Sequence, residues 1–223
     1  GSKGFKEIVE NRFNKDVIYF PNWAEKSIQE NKKNNMLELD FPTDKFLVMY
    51  TGNIGLAQNF EQLTKTIRIL EENIHWVFIG GGRYKAEFMS SLDEQNIMSK
   101  VSFLDQVNID QIPSYASKAG CLFLSLRDRE IFSKTVPAKL QSYMAMQKPI
   151  IAVLKGDGAE IIKDSNCGFV EENYNYNNLA KMIQKVSNMS EQELDNLGKN
   201  GRSYYDNHFS IEKRKQQLYN LIK

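Results

Sequence analysis

Cysteine, histidine, proline and charge of one sign are all scarce in this chain of 223 residues, and each scarcity excludes something. There are two cysteines, Cys121 in an apolar run and Cys167 in the turn SNCG, and they form neither a disulfide framework nor a ligand spacing. Both are expected to be reduced, which suits a cytoplasmic protein. The two histidines, His75 and His208, have no neighbour at metal-ligand spacing, so no metal site is expected. The 29 basic and 28 acidic residues leave a formal charge of +1, which gives no footprint for nucleic acid. No apolar run approaches the ~20 residues that span a bilayer, and no signal peptide is expected. The leading Gly1-Ser2 reads as a cloning scar, so the chain is expected to be part of something larger.

What the chain does have is short apolar runs alternating with amphipathic ones. Such a length buries roughly 70% of its unfolded surface, enough for one core without staples. Strands are expected at 17–20 (VIYF), 45–50 (KFLVMY), 75–80 (HWVFIG), 101–104 (VSFL), 121–125 (CLFLS), 149–154 (PIIAVL) and 168–170 (GFV). Helices are expected at about 59–72, 84–95, 110–118, 137–146 and 159–163, with three more helical stretches after 170. PNWAEKS reads as a turn, and the run QENKKNN (29–35) as a surface loop or frayed helix. Strands this short and unbroken in apolar character belong to a parallel sheet covered on both faces. Alternation with helices then makes the fold α/β, a doubly wound, Rossmann-like parallel sheet with right-handed crossovers. Leu63, Ile67 and Leu70 recur on one face of their helix, as a covering layer requires.

In such sheets ligands bind beyond the carboxyl ends of the strands, and the run SLRDREIFSKTVPAKLQSYMAMQKP at 125–149 is the most informative of those ends. It reads as a strand end, a polar loop and a helix with Pro137 at its first position, where a missing amide hydrogen costs nothing. The amides of Ala138 and Lys139 stay free at the positive end of the helix dipole, and Lys139 adds a full charge. That combination suits a phosphate or diphosphate. TGNIGLAQ at 51–58 offers glycines and a helix amino terminus to the same crevice, although a plain tight turn explains it equally well. GGGR at 80–83 looks superficially like a dinucleotide fingerprint, but Lys85 stands where a third glycine belongs, which argues against NAD. A turn whose glycines leave room for a nucleotide, with Arg83 near its phosphates, is the preferred reading. KGDGAE at 155–160 again turns backbone amides toward a helix start.

TVPAKLQSYMAMQKPIIA resembles the donor-site segment of retaining glycosyltransferases of the GT-B fold, sequence family 4. YTGNIGLAQ, FIGGGR and VSFLDQV recur in that order in the nucleotide-sugar-binding half of such enzymes. The branch most similar contains bacterial transferases of N-acetylated amino sugars in capsule, O-antigen or exopolysaccharide synthesis. The resemblance implies one half of a GT-B fold, running from about residue 17 to the end. Residues 1–16 would be the scar and an interdomain linker, 17–209 the nucleotide-sugar domain, and 210–223 a helix crossing to an N-terminal acceptor domain absent from this sequence. It also implies a UDP-sugar donor, no separate cofactor, a lipid-linked or polysaccharide acceptor, and peripheral membrane association through the absent domain. The fragment alone would be inactive.

By the same resemblance the donor contacts are Gly52, Asn53, Ile54, Gly55, Gln58, Arg83, Gln106, Val107, Thr135, Ala138, Lys139, Ser142 and Gly158, with Lys139 and Arg83 holding the leaving diphosphate. Several positions depart from the family. Asn53 and Gln58 replace a basic pair, Asp105 replaces a glycine near the nucleobase, and Lys134 and Ser142 stand where two glutamates are usual. Asp128 or Glu130 is a candidate replacement for the first of these, and Ser142 is a candidate ribose contact. Gln147 replaces a helix-ending glycine. Two rival readings stay open: a GT-B fold UDP-N-acetylhexosamine epimerase, weakened by the missing carboxylates, and a non-enzymatic nucleotide-binding module.

Overall fold

The structure is a computed structural model, and it describes residues 1–32 and 41–222. In chain order the elements are α1 (Lys3–Phe13), α2 (Lys26–Glu30), β1 (Phe46–Thr51), α3 (Phe60–Ile69), β2 (Ile74–Ile79), α4 (Lys85–Glu94), β3 (Val101–Leu104), α5 (Ile112–Lys118), β4 (Cys121–Ser125), α6 (Glu130–Ser133) and α7 (Ala138–Ala145). There follow β5 (Ile150–Val153), α8 (Asp157–Ser165), β6 (Gly168–Glu171), α9 (Tyr176–Ser187), α10 (Glu191–His208) and α11 (Ile211–Ile222). Short 3-10 turns lie at Leu56–Gln58, Met98–Lys100 and Ile109–Gln111, the last of them directly before α5.

The strands form one parallel sheet in the order β3-β2-β1-β4-β5-β6. The chain leaves β1 toward β2 and β3, then returns through α5 to place β4 on the other side of β1. This reversal makes the β1–β4 junction the switch point where a crevice opens. Side-chain alternation splits the core in two. Leu47, Met49, Leu122 and Leu124 face one layer, while Val48, Tyr50, Phe78 and Phe123 face the other. Burial along β2, β4 and β5 is unbroken, as strands covered on both faces require. Leu63, Ile67 and Leu70 all reach the second layer. Both cysteines are free and buried.

The structure corrects several sequence expectations. Residues 17–20 (VIYF) are not a strand. Their partners lie outside the sheet: the Val17 amide donates to Glu10, Gln217 donates to the Tyr19 carbonyl, and the Arg214 guanidinium sits over the Phe20 ring. A four-residue apolar run does not separate a strand from an extended segment held by side chains. PNWAEKS leads into α2, whose last residues are Gln29 and Glu30; residues 33–35 of the polar run lie outside the described residues. The loop after β4 is not wholly irregular, since it contains α6. Within residues 1–16 lies α1, capped by Ser2, whose hydroxyl donates to the Lys134 carbonyl.

Gln147 follows α7 with φ 57, the left-handed conformation that glycine tolerates best. A side chain there costs about 1–2 kcal/mol, of which glycine's extra freedom in the unfolded chain cancels roughly half. Gln147→Gly is therefore expected to stabilise the fold by about 0.5–1 kcal/mol and raise Tm by about 1–4 °C. A thermal melt that shows no rise means the Gln147 side chain contributes more than its backbone costs.

Candidate functional site

A cavity of about 730 Å³ opens at the carboxyl ends of the strands beside the switch point. Its floor comes from the loop after β1 (Thr51, Gly52, Asn53) and the loop after β2 (Gly80, Gly81, Gly82). One wall is α7, through Ala138, Lys139, Ser142 and Tyr143. The opposite end is more apolar, with Val107, Ile109 and Ile112 beside Gln106. Trp23, Glu25 and Ile28 close a third side.

Pro137 is the residue before α7 rather than its first member, because its ψ of 131° is extended. The consequence for the amides is the same as expected. Among the described residues no partner is recorded for the Ala138 and Lys139 N–H groups, while the Leu140 amide is taken by the Pro137 carbonyl at 2.8 Å. The Lys139 ammonium lies 3.6 Å from the centre of the Tyr50 ring, a cation–π contact with a fully buried aromatic. It is also so close to Gly52 that a Cβ at that position would stand 3.1 Å from Nζ. Gly52 has φ +116, a backbone conformation that favours glycine. Tyr50 is fixed in turn by its hydroxyl, which donates to the Asn53 carbonyl at 2.6 Å. The Tyr143 hydroxyl accepts from the Thr51 amide at 3.0 Å and ties α7 to the end of β1. Burial lowers the Lys139 pKa to about 7. The ammonium is thus held in a poorly solvated position with no carboxylate paired to it among the described residues, and an incoming anion would favour its charged form.

The glycines of the second loop, besides lining the cavity floor, have a packing role. A Cβ on Gly80 would meet the Gly52 carbonyl oxygen at 2.3 Å, and one on Gly82 would meet that of Ile54 at 2.2 Å. They let two loops pack backbone against backbone, and only Gly81 faces open space. Bonds from Gly52 N to Ile79 O (2.8 Å), Ile54 N to Gly81 O (2.7 Å) and Tyr84 N to Ile54 O (3.1 Å) lock that contact.

Of the residues singled out in the sequence, Gly52, Asn53, Gln106, Val107, Ala138, Lys139 and Ser142 line the cavity. The others do not. Ile54 is wholly buried in the core, and the Gln58 side chain accepts from the Gly55 amide at 3.1 Å. Arg83 is exposed and off the cavity wall, leaving Lys139 as the one cation there among the described residues. Thr135 donates to the Ile131 carbonyl at 2.7 Å. Gly158 is buried against Leu154 and Pro137, and a Cβ on Gly156 would stand 1.9 Å from the Ser133 carbonyl oxygen. These two glycines pack the start of α8 against α6 and the chain before α7. Asp128 pairs with Lys155 at 2.6 Å and Glu130 with Lys134 at 3.3 Å, so neither is a cavity acid. Asp105 is engaged by Lys85 at 2.7 Å, which leaves Gln106 and Val107 to face the cavity. Sequence reasoning missed Trp23, Glu25, Ile28, Ile109, Ile112, Tyr143 and Met146 on the wall. The motif PNWAE carried no local signal beyond a turn.

The parallel sheet, its strand order and its switch-point cleft define a Rossmann-like α/β fold, and solved structures of GT-B glycosyltransferases share it. A mutant of S. aureus TarM, crystallised with Fondaparinux, alpha-GlcNAc-glycerol and UDP, superposes with a TM-score of 0.76 over 99% of this chain and 42% of that one, at 15% identity. The chain belongs to the family described as Glycosyl transferases group 1, whose pattern matches residues 31–204. Among curated relatives, WcaI of Escherichia coli K12, a colanic acid biosynthesis glycosyl transferase by name, is 26% identical over 137 residues, covering 59% of this chain and 33% of that protein. The uncharacterized glycosyltransferase MJ1178 of Methanocaldococcus jannaschii is 26% identical over 204 residues, covering 88% and 56%. The chain therefore spans between a third and just over half of the length of these relatives. Among the described residues no helix is long and apolar enough to cross a membrane.

Proposed function

We propose that this chain is the donor-binding half of a retaining glycosyltransferase of sequence family 4 that takes an N-acetylated amino sugar from a UDP-sugar. One observation carries the reading: the unpaired Lys139 ammonium held over Gly52, beside two free amides at the start of α7. Breaking the bond between sugar and diphosphate leaves negative charge on the departing phosphate. Preorganised donors aimed at that charge are the usual source of the rate enhancement. Lys139 and the Ala138 and Lys139 amides are the groups for this task, and the apolar end at Val107, Ile109 and Ile112 receives the base. The family pattern and the UDP bound in the TarM neighbour support the donor class. The alpha-GlcNAc-glycerol in that neighbour and the name of WcaI support an N-acetylated sugar and a surface polysaccharide product. The acceptor, a lipid-linked saccharide at the cytoplasmic face of the membrane, binds a domain outside this sequence, and no cofactor beyond the donor takes part.

Calorimetric titration with UDP, GDP and NAD tests the reading. UDP is expected to bind in the micromolar range or weaker, GDP less well and NAD not at all, with no sugar transfer by the fragment alone. A preference for NAD, or no binding of either nucleoside diphosphate, overturns it.

A further inference from the structure

A second cavity lies apart from the donor cleft, between α8, α10 and α11, and the donor reading makes no use of it. At about 380 Å³ it falls within the span of roughly 300–1,000 Å³ usual for small-molecule sites. Val136 and Asp157, which follow β4 and β5 in the chain, border it, so it lies on the same carboxyl-end side of the sheet as the cleft. Four polar side chains on its wall are unspent. Among the described residues no hydrogen bond or ion pair is recorded for the side chains of Tyr19, Asp164, Tyr204 and Asn207. Burial raises the pKa of both phenols, so each stays a neutral hydroxyl that can donate and accept. The Tyr204 ring is backed by His208, whose ring centre is 4.2 Å away. The α11 side is a closed frame: Arg214 donates to the Gln217 side chain and to the His208 carbonyl, and Gln217 donates to the Tyr19 carbonyl at 2.7 Å.

Charge sorts the ligands this wall can take. Asp157, Glu160 and Asp164 stand against Lys3 and Arg214, so a phosphate meets more negative than positive charge. A cation meets those two bases, and two of the carboxylates are partly engaged already: Asp157 accepts from the Gly4 amide at 2.7 Å and Glu160 from Lys163 at 3.0 Å. A neutral molecule rich in hydroxyls suits the set best. Each hydroxyl donates as well as accepts, so it can give a hydrogen bond to Asp164 and exchange bonds with Asn207 and the two phenols. The weakly positive C–H face of a pyranose ring also matches the negative face of an aromatic wall. We propose that this cavity is a saccharide site, holding a sugar unit of the glycan being extended, remote from the point of transfer. That a sugar fits rests on the cavity alone; that the sugar belongs to the glycan rests on the transferase reading above.

Saturation-transfer NMR and calorimetry with chitobiose, cellobiose, maltose and lactose, each with and without saturating UDP, test the site on wild type, Asp164→Ala and Tyr204→Phe. Asp164 is exposed, and phenylalanine keeps the packing of Tyr204 while removing its hydroxyl, so both variants are expected to melt and bind UDP like wild type. At least one disaccharide should bind wild type in the millimolar range, and UDP should not displace it. Asp164→Ala should weaken that binding by about tenfold and Tyr204→Phe by about threefold. The proposal is overturned if none of the four sugars binds at millimolar concentration, if both variants bind the sugar like wild type, or if UDP displaces it. Spermine that binds where no sugar does, and is lost in Asp164→Ala, gives the cavity to a cation and overturns it as well. UDP binding by wild type is read in the same titrations and decides the donor reading separately.

Discussion

Replacing Lys139 with methionine is expected to weaken UDP binding by about 30-fold to more than 1,000-fold, the range seen when one partner of a desolvated charge pair is removed. Methionine is the informative substitution because it keeps an unbranched apolar stem over the Tyr50 ring and removes only the charge. Lys139→Ala should lose as much binding and some stability besides. The same group predicts a pH dependence with a definite sign. Burial lowers the folded-state pKa of Lys139 to about 7, below its ordinary value of 10.5. Between these values the unfolded chain holds a proton that the folded chain has released, so stability from this group rises with pH from about 7 to 10.5. Ligand binding runs the other way. A bound diphosphate favours the ammonium, so UDP binding above pH 7 takes up a proton and weakens by up to about tenfold per pH unit. Calorimetry in buffers of different ionisation enthalpy reads the uptake directly. A pH-independent affinity from 6 to 9 means that the Lys139 pKa is not lowered, and a methionine variant that binds like wild type removes Lys139 from the site.

Gly80→Ala is expected to be strongly damaging to the cleft. The residue has φ +136, and the added methyl would lie 2.3 Å from the Gly52 carbonyl oxygen, an atom of the backbone that has no rotamer to escape into. Backbone strain of about 1–3 kcal/mol and overpacking of similar size together predict a Tm lower by about 5–20 °C. UDP affinity should fall as well, because Gly52 carries the position over which the Lys139 ammonium rests. Gly81→Ala is the control, with nothing within 4 Å of its Cβ and no positive φ, and should change Tm by no more than about 2 °C. If the two variants melt alike, the interlocking of the two loops is not a constraint on the fold.

The sheet was legible because strands buried on both faces announce themselves as unbroken apolar runs, and six of the seven expected strands lie within a residue or two of their observed places. VIYF failed for the reason that makes short runs ambiguous: its partners are helices near the two ends of the described chain, not a neighbouring strand. At the site, what local pattern governs was readable. Free amides at α7 follow from Pro137, and a left-handed Gln147 follows from its place after the helix. What depends on contacts between distant segments was not. Arg83 and Lys139 look equivalent as basic residues beside loops, yet only the second reaches the cavity. The glycines at 80, 82, 156 and 158 signal special backbone, but not whether a ligand or another loop approaches it. Trp23 and Glu25 come to the cavity from more than a hundred residues before α7, through the docking of α2.

The interlocked loops beneath the cleft have a thermodynamic consequence. Their main chains are already hydrogen-bonded to one another at Gly52, Ile54 and Tyr84, so an arriving ligand need not freeze them, and the entropy of ordering that floor is lost during folding rather than on association. Selectivity can then drift through exchange of side chains on the surrounding walls while the interlocked base keeps its shape.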